Sequence, residues 1–146
     1  MSRLGKTKLT LEPWALVVFF VLFGLAAAVV PGYTDPAMRL GAIEDVLPGF
    51  YSHASNLTLS YALIIVYGIV RLLAGAGLRE IALFTAAVLA ANDIYEGGLT
   101  LWNTKDLVDA HYGAVGSLVA FGYLVLVKRH GLRRAPAASG AGERQG

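Results

Sequence analysis

The chain contains no cysteine. Disulfides, thiol nucleophiles and thiolate metal ligands are thereby excluded, and a metal would have to be held by histidine and carboxylate. Charge is scarce as well. Only 15% of the 146 residues are Asp, Glu, Lys or Arg, against about 25% in an ordinary soluble domain. No H-E-x-x-H or comparable metal-hydrolase signature occurs, and no internal repeat stands out. The net charge is +2 and the pI about 9.0, but the basic residues flank apolar runs and do not build a phosphate-binding face. No nucleic-acid partner is expected.

What remains is apolar. Hydrophobic residues make up 56% of the chain and the mean hydropathy is +0.60. Four apolar stretches run from Trp14 to Val30, Leu57 to Gly75, Ile81 to Leu99 and Leu107 to Val127. The first ends at Pro31-Gly32 and the second closes in Gly75-Ala76-Gly77. Each is close to the ~20 residues that cross a ~30 Å hydrocarbon core. In such a core every backbone amide needs a partner within its own segment, so each stretch reads as a helix. The expected fold is all-α, an integral membrane four-helix bundle spanning residues 1–134, with its last two helices forming a tight hairpin. Residues 135–146, rich in Ala, Gly and polar residues, read as a disordered cytoplasmic tail. Lys6 and Lys8 before an apolar run that includes Ala26-Ala27-Ala28 also resemble a signal peptide. The run is long for one, and the first segment is taken as a retained helix.

Orientation follows from the cations. Arg3, Lys6 and Lys8 precede the first stretch, Arg79 separates the second and third, and Lys128, Arg129, Arg133 and Arg134 follow the fourth. The other two connections carry Asp35, Glu44, Asp45, Asp106 and Asp109 against Arg39 and Lys105. The positive-inside rule then puts both termini in the cytoplasm of a multi-pass protein of the cell's inner (plasma) membrane. Arg71 falls near the cytoplasmic end of the second stretch, where its stem can snorkel. The loop from Gly32 to Ser52 is expected outside, with a short amphipathic turn over Ala42 to Leu47.

The polar residues then collect at one level. His53, Asn56 and Ser60 are spaced three and four apart and share a helical face. Asn92, Asp93 and Glu96 lie toward the outer end of the third stretch beside Tyr95, and Asp106, Asp109 and His111 open the fourth. Charged groups at membrane depth are expensive and by default mark a functional site. Plainer readings exist for several of them. Asp106 and Asp109 could cap a helix and meet its dipole, and His111 beside Tyr112 suits a headgroup region. His53 alone suits an interfacial histidine, and Trp14, Trp102, Tyr33 and Tyr51 suit an aromatic belt. Asn92, Asp93 and Glu96 are hardest to explain away, because they interrupt an apolar helix. Ala110, Gly113 and Gly116 follow at three-residue steps that let a neighbouring backbone approach closely.

This pattern resembles the VanZ-like family of small bacterial membrane proteins, named for a member associated with resistance to the glycopeptide teicoplanin. That family shows a His near the start of one helix and an acid-x-x-Gln pair at the end of the next. An Asp-x-x-x-Asn-x-x-Gly segment opens the following helix. Here His53 resembles the first element, Asp93-Ile94-Tyr95-Glu96 the second and Asp106 through Gly113 the third. Glu96 stands where Gln is usual, Ala110 stands where Asn is expected, and the family's common Pro-Gly-Arg is missing from a shortened loop. The resemblance covers about residues 50–125. It implies a non-catalytic cell-envelope protein linked to antibiotic resistance, binding a lipid headgroup, a cell-wall precursor or an amphiphilic drug in an outer polar pocket. The expected ligand-binding set is Asp93, Glu96 and Asp106, surrounded by His53, Asn92, Asp109 and His111.

Two other readings fit the same residues. A divalent metal held by the acids and histidines could activate water for hydrolysis or group transfer at the outer leaflet. Alternatively, the chain could be a small subunit of a larger membrane complex or a homo-oligomer, with Gly113 and Gly116 marking a partner interface.

Overall fold

The computed structural model of the chain describes residues 9–98 and 107–134. These residues are mostly helical. A short strand β1 (Leu9–Leu11) leads into α1 (Pro13–Thr34), a 3-10 turn (Pro36–Met38) and the short helix α2 (Gly41–Val46). Then come α3 (Phe50–Leu73), α4 (Leu78–Gly98), α5 (Leu107–His130) and a final strand β2 (Leu132–Arg134).

Helices α1, α3 and α5 are long and apolar enough to cross a membrane. Their outward surfaces suit lipid rather than water: Val17, Phe20 and Leu25 of α1 are each more than 60% exposed. In water so large an apolar surface would drive aggregation or partner binding. The chain is therefore a membrane-embedded protein. Helix α4 is not among the candidate spans, since Asn92, Asp93 and Glu96 dilute its apolar run.

Helix α3 is the centre of the fold, packing against α1, α4 and α5. The core joins Tyr61, Ile64, Ile65 and Leu72 of α3 to Ala120, Tyr123, Leu124 and Val127 of α5, with Ala15 and Ile81 closing it. The small residues of α5 set this geometry. A Cβ on Gly116 would run into the backbone carbonyl of Leu57, and one on Gly113 into the side-chain amide of Asn92. Both glycines are filled by their own chain, so they do not mark the partner interface envisaged for them. Gly68 of α3 likewise accommodates the Leu124 side chain. Tyr123 ties α5 to α1 by donating from its hydroxyl to the Ala15 carbonyl at 2.6 Å.

Helix boundaries depart from the hydropathy pattern in physically readable ways. Helix α1 does not stop at Pro31-Gly32 but runs through Pro31 to Thr34. Proline lacks an N–H, yet its carbonyl still accepts from the Asp35 amide and the Thr34 hydroxyl. Helix α3 starts at Phe50, ahead of the apolar run, because Gly49 adopts φ 78° and lets the chain turn into the helix. The Gly49 N–H donates to Glu44 Oε1 at 3.0 Å, which fastens α2 to that turn. At the other end of α3, Gly75 at φ 90° closes the helix, with Ala76 N–H donating to Arg71 O and Gly75 N–H to Leu72 O. That pair of bonds is a Schellman cap. The short helix expected over Ala42 to Leu47 is present as α2.

Strands β1 and β2 pair antiparallel, Leu9 opposite Arg134 and Leu11 opposite Leu132. This pairing brings the two ends of the described chain side by side. The expected tail, 135–146, lies outside the described residues.

Candidate functional site

Three side chains on one face of α3 meet partners on α4 and α5. His53, Asn56 and Ser60 fall at i, i+3 and i+7, which aligns them along the helix. His53 Nδ1 lies 2.7 Å from Asp109 Oδ1 on α5. One turn deeper, Asn56 Nδ2 donates to Glu96 Oε1 on α4 at 3.1 Å. One turn deeper again, Asn92 Nδ2 donates to Ser60 Oγ at 2.7 Å. Numbers fall along α4 as they rise along α3, as an antiparallel helix pair requires. The result is a ladder of three polar contacts.

Burial explains why these contacts form. Glu96 is 4% exposed and Ser60 1%, and polar groups that deep cost free energy unless hydrogen-bonded. Aromatic rings close the upper end. The Tyr112 ring sits 5.3 Å from that of His53 and 5.8 Å from that of Phe50.

The expected site residues do not all join. His53, Asn92, Glu96 and Asp109 are in the ladder, together with Asn56 and Ser60, which the sequence placed on the right face but not in the ligand-binding set. Asp93 is exposed on the flank of α4. Around a helix of 3.6 residues per turn, Glu96 lies only about 40° from Asn92, whereas Asp93 is about 100° from it. Sharing a short sequence window did not make these three one cluster. His111 is also exposed, and its Nδ1 engages the carbonyl of Leu107 one turn back. Asp106 and Trp102 lie outside the described residues. Tyr51 is not part of an aromatic belt: it is 1% exposed, it packs against Gly32, and its hydroxyl accepts from the Leu40 amide at 2.9 Å. Among the described residues, no three His, Asp or Glu side chains come together as a cation-binding group.

Beside the ladder lies a cleft of about 770 Å³ bounded by α1, α3 and α4. Val29, Val30, Leu59 and Ala62 supply apolar walls, and Asn56, Thr58, Asn92 and Tyr95 supply the polar lining. Among the described residues, no charged side chain lines it directly. Asn56 and Asn92 therefore belong to both features, each bonding into the ladder while also facing the cleft. Pockets of roughly 300–1,000 Å³ with apolar walls and a few convergent polar groups are typical of small-molecule sites.

A second polar cluster occupies the opposite end of α3. Arg71 forms a two-pronged pair with Glu80, to which the Tyr67 hydroxyl also donates at 2.9 Å. The Tyr67 ring stacks on Phe84 with centroids 3.8 Å apart. Arg71 is thus held by a carboxylate at the start of α4, a contact that the reading of a snorkelling side chain missed. Lys128 Nζ donates to the Ala76 carbonyl at 2.9 Å, fastening α5 to the same turn.

Comparison with known protein families, curated proteins and solved structures finds no match to this chain.

Proposed function

We propose that this is a four-span protein of the plasma membrane, both termini cytoplasmic, that binds an amphiphile in the cleft between α1, α3 and α4. The observation that carries this reading is the gradient within the cleft. Apolar walls from Val29, Val30, Leu59 and Ala62 run into a polar lining at Asn56 and Asn92. An apolar tail fits the first part and a hydrogen-bonding head group the second.

Membrane placement is supported by three candidate spans and by the charge pattern. Helix α4 serves as the fourth span, with the Glu96 carboxylate accepting from Asn56 within the bundle. Four crossings return the chain to its starting side, consistent with the pairing of β1 and β2. The VanZ-like resemblance supports the same kind of function, an envelope protein that binds a lipid, a cell-wall precursor or an amphiphilic drug. Two of its elements meet partners in the ladder, His53 with Asp109 and Glu96 with Asn56.

Native mass spectrometry of the gently extracted protein, with elemental analysis of the same sample, tests this reading. A retained lipid that is lost in Ala62→Phe, which fills the cleft wall, is the expected result. A stoichiometric divalent metal and no retained amphiphile would overturn it in favour of metal-dependent chemistry.

A further inference from the structure

The cleft has a definite electrostatic setting. Among the described residues, the end of the molecule that holds it carries Asp35, Glu44, Asp45, Asp93, Glu96 and Asp109, with Arg39 as its Lys or Arg. Arg39 is engaged, donating from Nε to the Gly32 carbonyl at 3.0 Å and lying over the Tyr51 ring. The opposite end carries Arg71, Arg79, Lys128, Arg129, Arg133 and Arg134 against Glu12 and Glu80. Summed charge of one sign raises the local concentration of the opposite ion, most strongly beside low-dielectric walls. The Glu96 carboxylate stands one hydrogen bond behind Asn56 of the cleft lining.

The lining adds a local preference for donors. Asn56 and Asn92 each use Nδ2 within the ladder, toward Glu96 and Ser60. Their Oδ1 atoms accept from no donor among the described residues. The Thr58 hydroxyl, on the same cleft wall, is buried and has no hydrogen-bond partner there either. A carboxylate behind, two amide oxygens without a donor and an orphaned hydroxyl alongside suit a head group that carries a positive charge and donates several N–H bonds. An anionic head group would instead meet the field of the acidic end, with the Glu96 carboxylate one hydrogen bond behind Asn56.

Building on the amphiphile reading above, we infer that the occupant is a lipid whose head group ends in a primary ammonium, its chain lying along Val29, Val30, Leu59 and Ala62 and its ammonium at Asn56 and Asn92. A primary ammonium offers three donors, and hydrogen bonds to charged groups are worth about 1.5–3 kcal/mol, or roughly ten- to a hundredfold in affinity.

The test titrates the purified full chain with phosphatidylethanolamine and phosphatidylglycerol of identical acyl chains, reading retained lipid by native mass spectrometry. Phosphatidylethanolamine should be held at least about tenfold more tightly. Ala91→Trp, at an exposed position in the cleft lining, should remove that binding, and Glu96→Gln should narrow the preference without removing it. Equal or tighter binding of phosphatidylglycerol would overturn the ammonium inference while leaving the amphiphile reading standing. Retention of neither lipid would overturn both. Binding unchanged by Ala91→Trp would overturn the assignment to this cleft. The comparison of the two lipids needs no variant, so it decides the question even where Glu96→Gln fails to fold.

Discussion

Replacing Gly116 by alanine tests the closest approach between α3 and α5. The added methyl would meet the Leu57 carbonyl oxygen head-on, with the carbonyl carbon at 3.1 Å and the Cα at 3.2 Å. These are backbone atoms of a packed helix, so no rotamer change can relieve the contact. The two helices must separate, and that loosens Ser60 and Ile64 on one side and Ala120 and Leu124 on the other. Overpacking of this kind costs about 1–3 kcal/mol. Alanine is also a better helix former than glycine by about 1 kcal/mol, which would partly mask the cost in a single measurement. Gly122 supplies the control: it lies in the same helix, and a Cβ there meets nothing within 4 Å. Gly122→Ala therefore carries the propensity gain alone, and the difference between the two variants isolates the packing term at about 1–3 kcal/mol. Reversible unfolding in mixed micelles, followed by tryptophan fluorescence and far-UV circular dichroism, would measure it. Indistinguishable stabilities for Gly116→Ala and Gly122→Ala would refute the close packing of α5 on Leu57.

Other expectations follow from the ladder and the placement of the loops. Asn92→Ala leaves the buried Ser60 hydroxyl without its partner, and the same unfolding assay should show a loss of about 1–3 kcal/mol. His53 and Asp109 bridge α3 and α5 with side chains only about one-fifth exposed. A double-mutant cycle of His53→Ala and Asp109→Ala should therefore give a coupling toward the lower part of the about 0.5–3 kcal/mol range, and additive effects would remove the bridge. Because the chain has no cysteine, single cysteines report topology without background. Asp45→Cys should react with an impermeant maleimide on intact cells and Arg79→Cys only after lysis; the reverse pattern would invert the orientation.

Segment positions were legible because length and hydropathy decide them. All four apolar stretches lie within or close to the long helices, and Gly75 ended α3 as its position suggested. The start of α3 was hidden because its first turns, around Tyr51, Ser52 and His53, are polar and become helical through the Gly49 turn and the packing of Tyr51. The course of α1 through Pro31 was hidden for a related reason, since bonds to the Pro31 carbonyl outweigh the missing N–H. At the site, helical spacing correctly aligned His53, Asn56 and Ser60 and correctly paired Asn92 with Glu96. It could not reveal which face of α4 would turn inward, so it grouped Asp93, which is exposed, with Asn92 and Glu96, which meet partners on α3. Nor could spacing disclose the Arg71–Glu80 pair, whose members lie on opposite sides of the Gly75–Gly77 turn. The cleft arises from three segments far apart in sequence and leaves no local signature.

Pairing Leu9–Leu11 with Leu132–Arg134 makes the polypeptide close to a ring. A ring can be opened elsewhere. Joining Arg134 to Leu9 through a short flexible linker and cutting between Gly75 and Gly77 would give a circular permutant beginning at α4 and ending with α3. Its new ends would lie at the same end of the bundle as β1 and β2, where Lys128 meets the Ala76 carbonyl. During synthesis of the natural chain the same closure comes last, because β2 leaves the ribosome more than a hundred residues after β1. The strand ahead of α1 therefore waits for β2 to emerge before it is anchored, whereas the permutant would place α1 beside α5 as soon as it is made.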